Sequence, residues 1–192
     1  MNNYVYALDI GENETSNLTS NSTTLQKFTG ANATVNVSNS STLERANQPV
    51  LVNEQSGGTV TVESGSTISA TVANTIQGID SANLTVTNSG TIQAGTSKAI
   101  NLTDNEGARV TNNTGGIIKS DTNTISLSEN DEDVVDDIII TNHGTIFATD
   151  NSDTSGHNVI KSSDGVTNLT INNEKGGHIY HGSDKAVILL GG

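Results

Sequence analysis

Six carboxylates crowd one short stretch of this chain: Glu129, Asp131, Glu132, Asp133, Asp136 and Asp137 all fall within SENDEDVVDD (128–137). Ca²⁺ takes about six to eight hard oxygens at flexible spacing, so this is where the sequence offers a cation the most ligands. The stretch has neither the GGxGxD nonapeptide nor the Gly and Glu frame of an EF-hand. A solvated acidic loop is the reading it supports best, with Ca²⁺ as the alternative and no cofactor expected. The chain's four histidines make no clearer site. His178 and His181 are three apart, which on a strand puts them on opposite faces, and His143 and His157 have no partner pattern.

Catalysis is poorly provided for. Polysaccharide cleavage needs convergent carboxylates, and a lyase adds a basic residue. Arg45 and Arg109 are the only arginines, and neither lies beside a paired-carboxylate strand segment. Only five aromatics exist to stack on sugars, and the absence of cysteine removes thiol chemistry and disulfides. The expectation is a protein that is not an enzyme, with a polysaccharide-active enzyme as the weakest alternative. The TVT pieces at 59–61, 71–75 and 85–87 are too irregular for an ice-binding Thr array, and Asn-x-Thr triplets such as Asn83-Leu84-Thr85 are expected by chance in so Asn- and Thr-rich a chain.

What does recur is a polar pair at strand ends: Thr87-Asn88, Thr111-Asn112 and Thr141-Asn142. The elements that must position these pairs are read from LTVTNSGTI (84–92). There Leu84, Val86 and Ile92 alternate with Thr85, Thr87 and Thr91, the period-two mark of a half-buried strand. Asn88, Ser89 and Gly90 interrupt it as a sharp corner. The segment returns as TVTVESGSTI (59–68), ARVTNNTGGII (108–118), DIIITNHGTI (137–146) and TNLTINNEKGGHI (167–179). Taking the apolar residue before each corner as marker gives Val62, Val86, Val110, Ile140 and Ile171, at intervals of 24, 24, 30 and 31. Each period carries a third apolar piece: TIQGI (75–79), AINL (99–102), TISL (124–127), VIKS (159–162) and AVILL (186–190). Three short strands per turn of about 24 residues make a β-solenoid.

Within that coil, Val86, Val110, Ile140 and Ile171 are expected to form one interior row. Thr87, Thr111 and Thr141 are expected to project outward beside the corner amides Asn88, Asn112 and Asn142, forming a candidate binding row together with the acidic residues Glu129, Asp131, Asp133, Asp136 and Asp137. Gly90, Gly116, Gly144 and Gly177 follow the corners, where a Cβ would clash. The insertions at 128–137 and 148–158 lengthen links between strands, where solenoids carry specificity. The regular coil is expected over 33–192, with 1–32 as an N-terminal cap or a degenerate rung.

Composition agrees. At 192 residues and 32% hydrophobic content, a narrow interior of stacked Val, Ile and Leu is easier to fill than a core rich in aromatics. A net charge of −13 makes nucleic acid and anionic membranes poor partners. MNNYVYALDIGE has no basic start and its apolar run breaks at Asp9, so neither a signal peptide nor a membrane span is read there. The apolar strand in AVILLGG reads as an uncovered rung, and both ends are expected to be cuts through a longer protein.

The recurring VTNSGTI, ITNHGTI and AINL pieces, over roughly 58–190, resemble the passenger domains of bacterial autotransporters, the type V secreted proteins of Gram-negative surfaces. The resemblance rests on repeat style rather than on a catalytic signature. It implies an all-β, right-handed parallel β-helix, secreted or held at the cell surface through an outer-membrane translocator that is missing here. It also implies adhesion to a host-cell or neighbouring-cell surface molecule, or to another copy of itself. A spacer stalk with no binding site of its own is the alternative.

Overall fold

The computed structural model describes residues 7–129, 135–149, 157–183 and 186–191, and among them the regular structure is strand throughout. Three parallel sheets run the length of the coil: sheet A with eight strands, sheet B with seven and sheet C with six. One turn shows the plan. Ile76–Ile79 lies in sheet A, Thr85–Asn88 in sheet B and Thr91–Ala94 in sheet C, and the next turn begins at Ile100–Thr103 in sheet A. This is a parallel β-helix. Its seven turns span about 30 Å at the usual strand spacing.

Strands in sheet B begin in register at Thr15, Thr34, Thr59, Thr85, Arg109, Ile139 and Thr170, so successive turns take 19, 25, 26, 24, 30 and 31 residues. The two longest turns hold the insertions at 128–137 and 148–158, one at the A-to-B corner and the other at the C-to-A corner. The described part of residues 1–32 is coil as well. Ala7–Ile10 and Leu25–Phe28 pair in sheet A and Thr15–Leu18 joins sheet B, while sheet C is represented in that first turn only by a bridge from Ser22 to Leu43.

The interior is a set of rows. Val86, Val110 and Ile140 are stacked in register and buried, and half-buried Ile171 continues them. Val62 is a correction. The residue paired with Val86 is Val60, and Val62 stands opposite Asn88. The corner after Val62 (Glu63-Ser64-Gly65-Ser66) is two residues longer than the one after Asn88, so counting back from the corner landed one strand step late.

A row that sequence reading missed governs the A-to-B corner. Two residues before every sheet B strand the backbone is left-handed, at Asn13, Asn32, Gly57, Asn83, Gly107, Asp137 and Asn168, with φ between 48 and 75°. Only Gly, Asn and Asp visit that region at low cost. From the second turn on the next residue turns inward, as Ala33, Leu84, Ala108 and Ile138 do, all fully buried, while Glu14 in the first turn is exposed. The residue after that faces out and is Thr in five of the seven turns.

Candidate interaction surface

The outer face of sheet B presents two columns of side chains. One holds Thr15, Thr34, Thr59, Thr85, Arg109, Ile139 and Thr170. The other holds Asn17, Asn36, Thr61, Thr87, Thr111, Thr141 and Asn172. Thr87, Thr111 and Thr141 are thus brought into one outward row, each half-buried between its neighbours. Pairing in a parallel sheet spaces them by about one strand separation, roughly 4.8 Å.

The amides beside them do not share that face. Asn88, Asn112 and Asn142 are fully buried, which corrects the expectation that they project outward. Alternation along each strand decides this: Thr87 and Asn88 are successive residues, so an outward Thr forces an inward Asn. Burial is tolerated because the amides satisfy one another. Asn88 Nδ2 donates to Asn112 Oδ1, Asn112 Nδ2 to Asn142 Oδ1, and Asn142 Nδ2 to Asn173 Oδ1, each at 2.8 Å. Each amide also donates to main-chain carbonyls, as Asn112 does to Gly116 at 3.1 Å and to Thr145 at 3.2 Å.

This ladder explains the glycines. A Cβ on Gly116 would stand 2.5 Å from Asn112 Oδ1, one on Gly144 2.7 Å from Asn112 Nδ2, and one on Gly177 2.7 Å from Asn173 Oδ1. Main-chain carbonyls crowd the same space, with Gly116 O 2.3 Å from a Cβ on Gly144. In the earlier turns the inward residue is Val37 or Val62, and the equivalent corner position is Ser41 or Ser66. Asn goes with Gly, and Val with Ser: at Gly116 the amide is the nearest obstacle to a Cβ, while at Gly90, Gly144 and Gly177 main-chain carbonyls stand nearer still.

The acidic residues divide. Asp136 accepts from Thr167 Oγ1 and Asn168 Nδ2, both at 2.9 Å, and from the backbone N–H of Asp137 at 2.7 Å. These donors, Thr167 foremost, hold its carboxyl below its ordinary value. Asp137 forms an ion pair with Arg109 at 2.8 Å. Glu129 lies apart, its backbone N–H donating to Ser163 Oγ at 3.1 Å. Asp131, Glu132 and Asp133 lie outside the described residues. Among the described residues no group of three or more His, Cys, Asp or Glu is arranged to hold a metal ion. His178 faces outward and His181 is half-buried, with Nδ1 near Ser183 Oγ at 3.0 Å.

Sheet C adds a feature outside the candidate residues. Phe147 and Tyr180 sit in one outer column, their rings stacked with centroids 5.1 Å apart and planes 6° from parallel. Tyr180 is 45% exposed. The signal was present in the aligned pieces Gly144-Thr145-Ile146-Phe147 and Gly177-His178-Ile179-Tyr180, which give both aromatics the same place after the corner.

Fold and surface together define a parallel β-helix protein with repetitive polar outer faces. Comparison with protein-family models, with curated proteins and with solved structures returns no match.

Proposed function

We propose that this chain is an adhesive segment of an extracellular β-helix of the autotransporter passenger type, binding a cell-surface molecule or another copy of itself through its outer faces without catalysis. The observation that supports the reading is the sheet B surface, where hydroxyls and amides repeat in register over seven turns. A single neutral hydrogen bond contributes only about 1 kcal/mol net, so such a face binds weakly once and strongly many times over. The stacked Phe147–Tyr180 pair offers a second, amphipathic contact on sheet C. The secreted location and the surface anchorage belong to the same proposal.

The test is display of the chain on bacterial cells, with settling and attachment to host cells measured against a variant carrying Lys at Thr87, Thr111 and Thr141. Three added charges repel an identical row, and because they also repel one another across adjacent strands, melting of the variant is compared with the parent's to separate lost contact from lost fold. Settling or attachment that appears with the parent and falls with the variant supports adhesion. If display changes neither, the spacer reading takes its place.

A further inference from the structure

Three Asn-Leu-Thr triplets of identical sequence, beginning at Asn83, Asn101 and Asn168, stand in three different settings. Asn-x-Ser/Thr is the triplet at which a sugar is attached to an asparagine amide, and whether a folded chain can receive one depends on where that amide stands. Asn101 lies on the sheet A strand Ile100–Thr103, is 9% exposed, and donates from Nδ2 to the hydroxyl of its own Thr103 at 3.0 Å. Asn168 is exposed at the A-to-B corner, but its Nδ2 donates to Asp136 Oδ1 at 2.9 Å. Both amides are occupied by neighbours.

Asn83 differs from both. It is exposed at the same corner with φ of 59°. Its backbone N–H is held by Glu106 O at 2.7 Å, while its side chain makes no hydrogen bond among the described residues. The places before and after it in the corner column are Gly57 and Gly107, so no side chain flanks the amide for one turn, about 4.8 Å, in either direction. A Cβ on Gly107 would stand 2.5 Å from Asn83 Oδ1, so the amide leans into the room that glycine leaves. Asn32, the other corner asparagine followed by a glycine, has Asn13 on its far side and donates to it at 3.4 Å.

We propose that Asn83 is the principal N-glycosylation acceptor of the folded rod. Its Nδ2 attacks the anomeric carbon of a nucleotide-activated hexose, the bond from that carbon to the diphosphate oxygen breaks, and the nucleoside diphosphate leaves. The displaced amide proton passes to a base on the transferring enzyme. The sugar replaces a hydrogen on an exposed amide and displaces nothing from the interior, where the next residue, Leu84, stays fully buried. Burial excludes Asn101, and also Asn112, which opens the triplet Asn112-Asn113-Thr114 from inside the ladder. Asn168 is disfavoured by the hydrogen bond it must give up. The inference does not rest on the adhesive reading.

The test uses UDP-glucose and a soluble N-glycosyltransferase that modifies both of two synthetic peptides, residues 78–88 and 96–106, each centred on its Asn-Leu-Thr triplet. Occupancy of each asparagine is followed in time by peptide mapping and mass spectrometry. The two peptides should react at similar rates, because their triplets are the same. In the folded 192-residue chain, Asn83 should be modified at least about tenfold faster than Asn101, which reacts only when its strand opens. Equal rates at Asn83 and Asn101 in the folded chain, or no modification of Asn83 there, would overturn the proposal. So would a difference of that size already present between the peptides, since local sequence and not the fold would then choose the acceptor.

Discussion

Asn112→Val tests whether the buried ladder stabilises the coil or is merely accommodated by it. The substitution breaks two links of 2.8 Å, one from Asn88 and one to Asn142, together with weaker donations to the carbonyls of Gly116, which keeps the Thr145 N–H at 2.9 Å, and of Thr145. Neither neighbour is left stranded: Asn88 Nδ2 keeps the carbonyls of Gly90 and Ile117, at 3.3 and 3.0 Å, and Asn142 Oδ1 keeps the Gly144 N–H at 3.2 Å. The cost is therefore closer to the net worth of a hydrogen bond, about 1 kcal/mol for each link, than to the full desolvation of an orphaned amide. Val37 and Val62 show that the column accepts a Val side chain, so little strain is added. The expected loss is about 2 kcal/mol, or roughly 4–8 °C in melting temperature for a chain of this size. Asn88→Val opens one link and should cost about half as much. The Asn88→Val, Asn112→Val pair breaks the same two links as Asn112→Val alone, so its cost should fall about 1 kcal/mol short of the sum of the single variants. Thermal and urea melts followed by far-ultraviolet circular dichroism read all three. Strict additivity, or equal costs for the two single variants, would refute the link-by-link account.

Other substitutions probe other parts of the coil. Val110→Asp places a carboxylate between Val86 and Ile140 at a site 1% exposed; it should cost several kcal/mol and open the coil to limited proteolysis. Gly144→Ala, whose Cβ would lie 2.3 Å from Gly116 O, should destabilise more than Gly115→Ala, whose Cβ meets nothing and which pays only for its φ of 82°; paired melts give the order. Asp136 is held below its ordinary value near 3.8, so its contribution is fully present above that value and is lost as the pH falls through the lowered one. Asp136→Asn should remove the part of the acid-induced loss of stability below about pH 4 that this group supplies, measured as the difference between parent and variant melts.

How far the sequence reveals this molecule depends on what alternation can encode. Period two in Leu84, Val86 and Ile92, the corners, and the third apolar pieces placed three sheets and their interior rows, because burial on one face leaves no freedom in which residues turn inward. Register across corners was less legible, since a corner of two residues and one of four look alike to a count that begins at the corner, and Val62 slipped by two residues for that reason. Asn88 was harder still. An amide suits an exposed corner and a buried ladder equally well, and only a following Gly, such as Gly116, whose Cβ would meet Asn112 Oδ1 at 2.5 Å, separates the two. The acidic stretch gave a charge but no geometry, and Asp136 and Asp137 turn out to serve the A-to-B corner through Thr167, Asn168 and Arg109.

The left-handed row at that corner also changes the meaning of the Asn-x-Thr triplets. Asn13, Asn32, Asn83 and Asn168 all stand at positive φ, with Thr15, Thr34, Thr85 and Thr170 two residues on as the first outward residues of sheet B. At these four corners chance composition need not be invoked, whereas triplets on strands, such as Asn101-Leu102-Thr103, have no such cause. The first position must tolerate a left-handed backbone, the second turns inward in every turn after the first, where Glu14 is exposed, and the third must be β-branched and able to face water, which selects Asn at the first position and Thr at the third. Where Gly or Asp takes the first position, at Gly57, Gly107 and Asp137, the triplet disappears while the corner persists. The same geometry that sets the outer Thr columns in register therefore writes the triplet into the sequence. A substitution such as Asn83→Gly, which erases the triplet but keeps the backbone region open, should leave the melting temperature within about 2 °C of the parent, whereas Asn83→Val should lower it by several degrees. Equal melting of the two variants would show that the corner does not select its residue by backbone conformation.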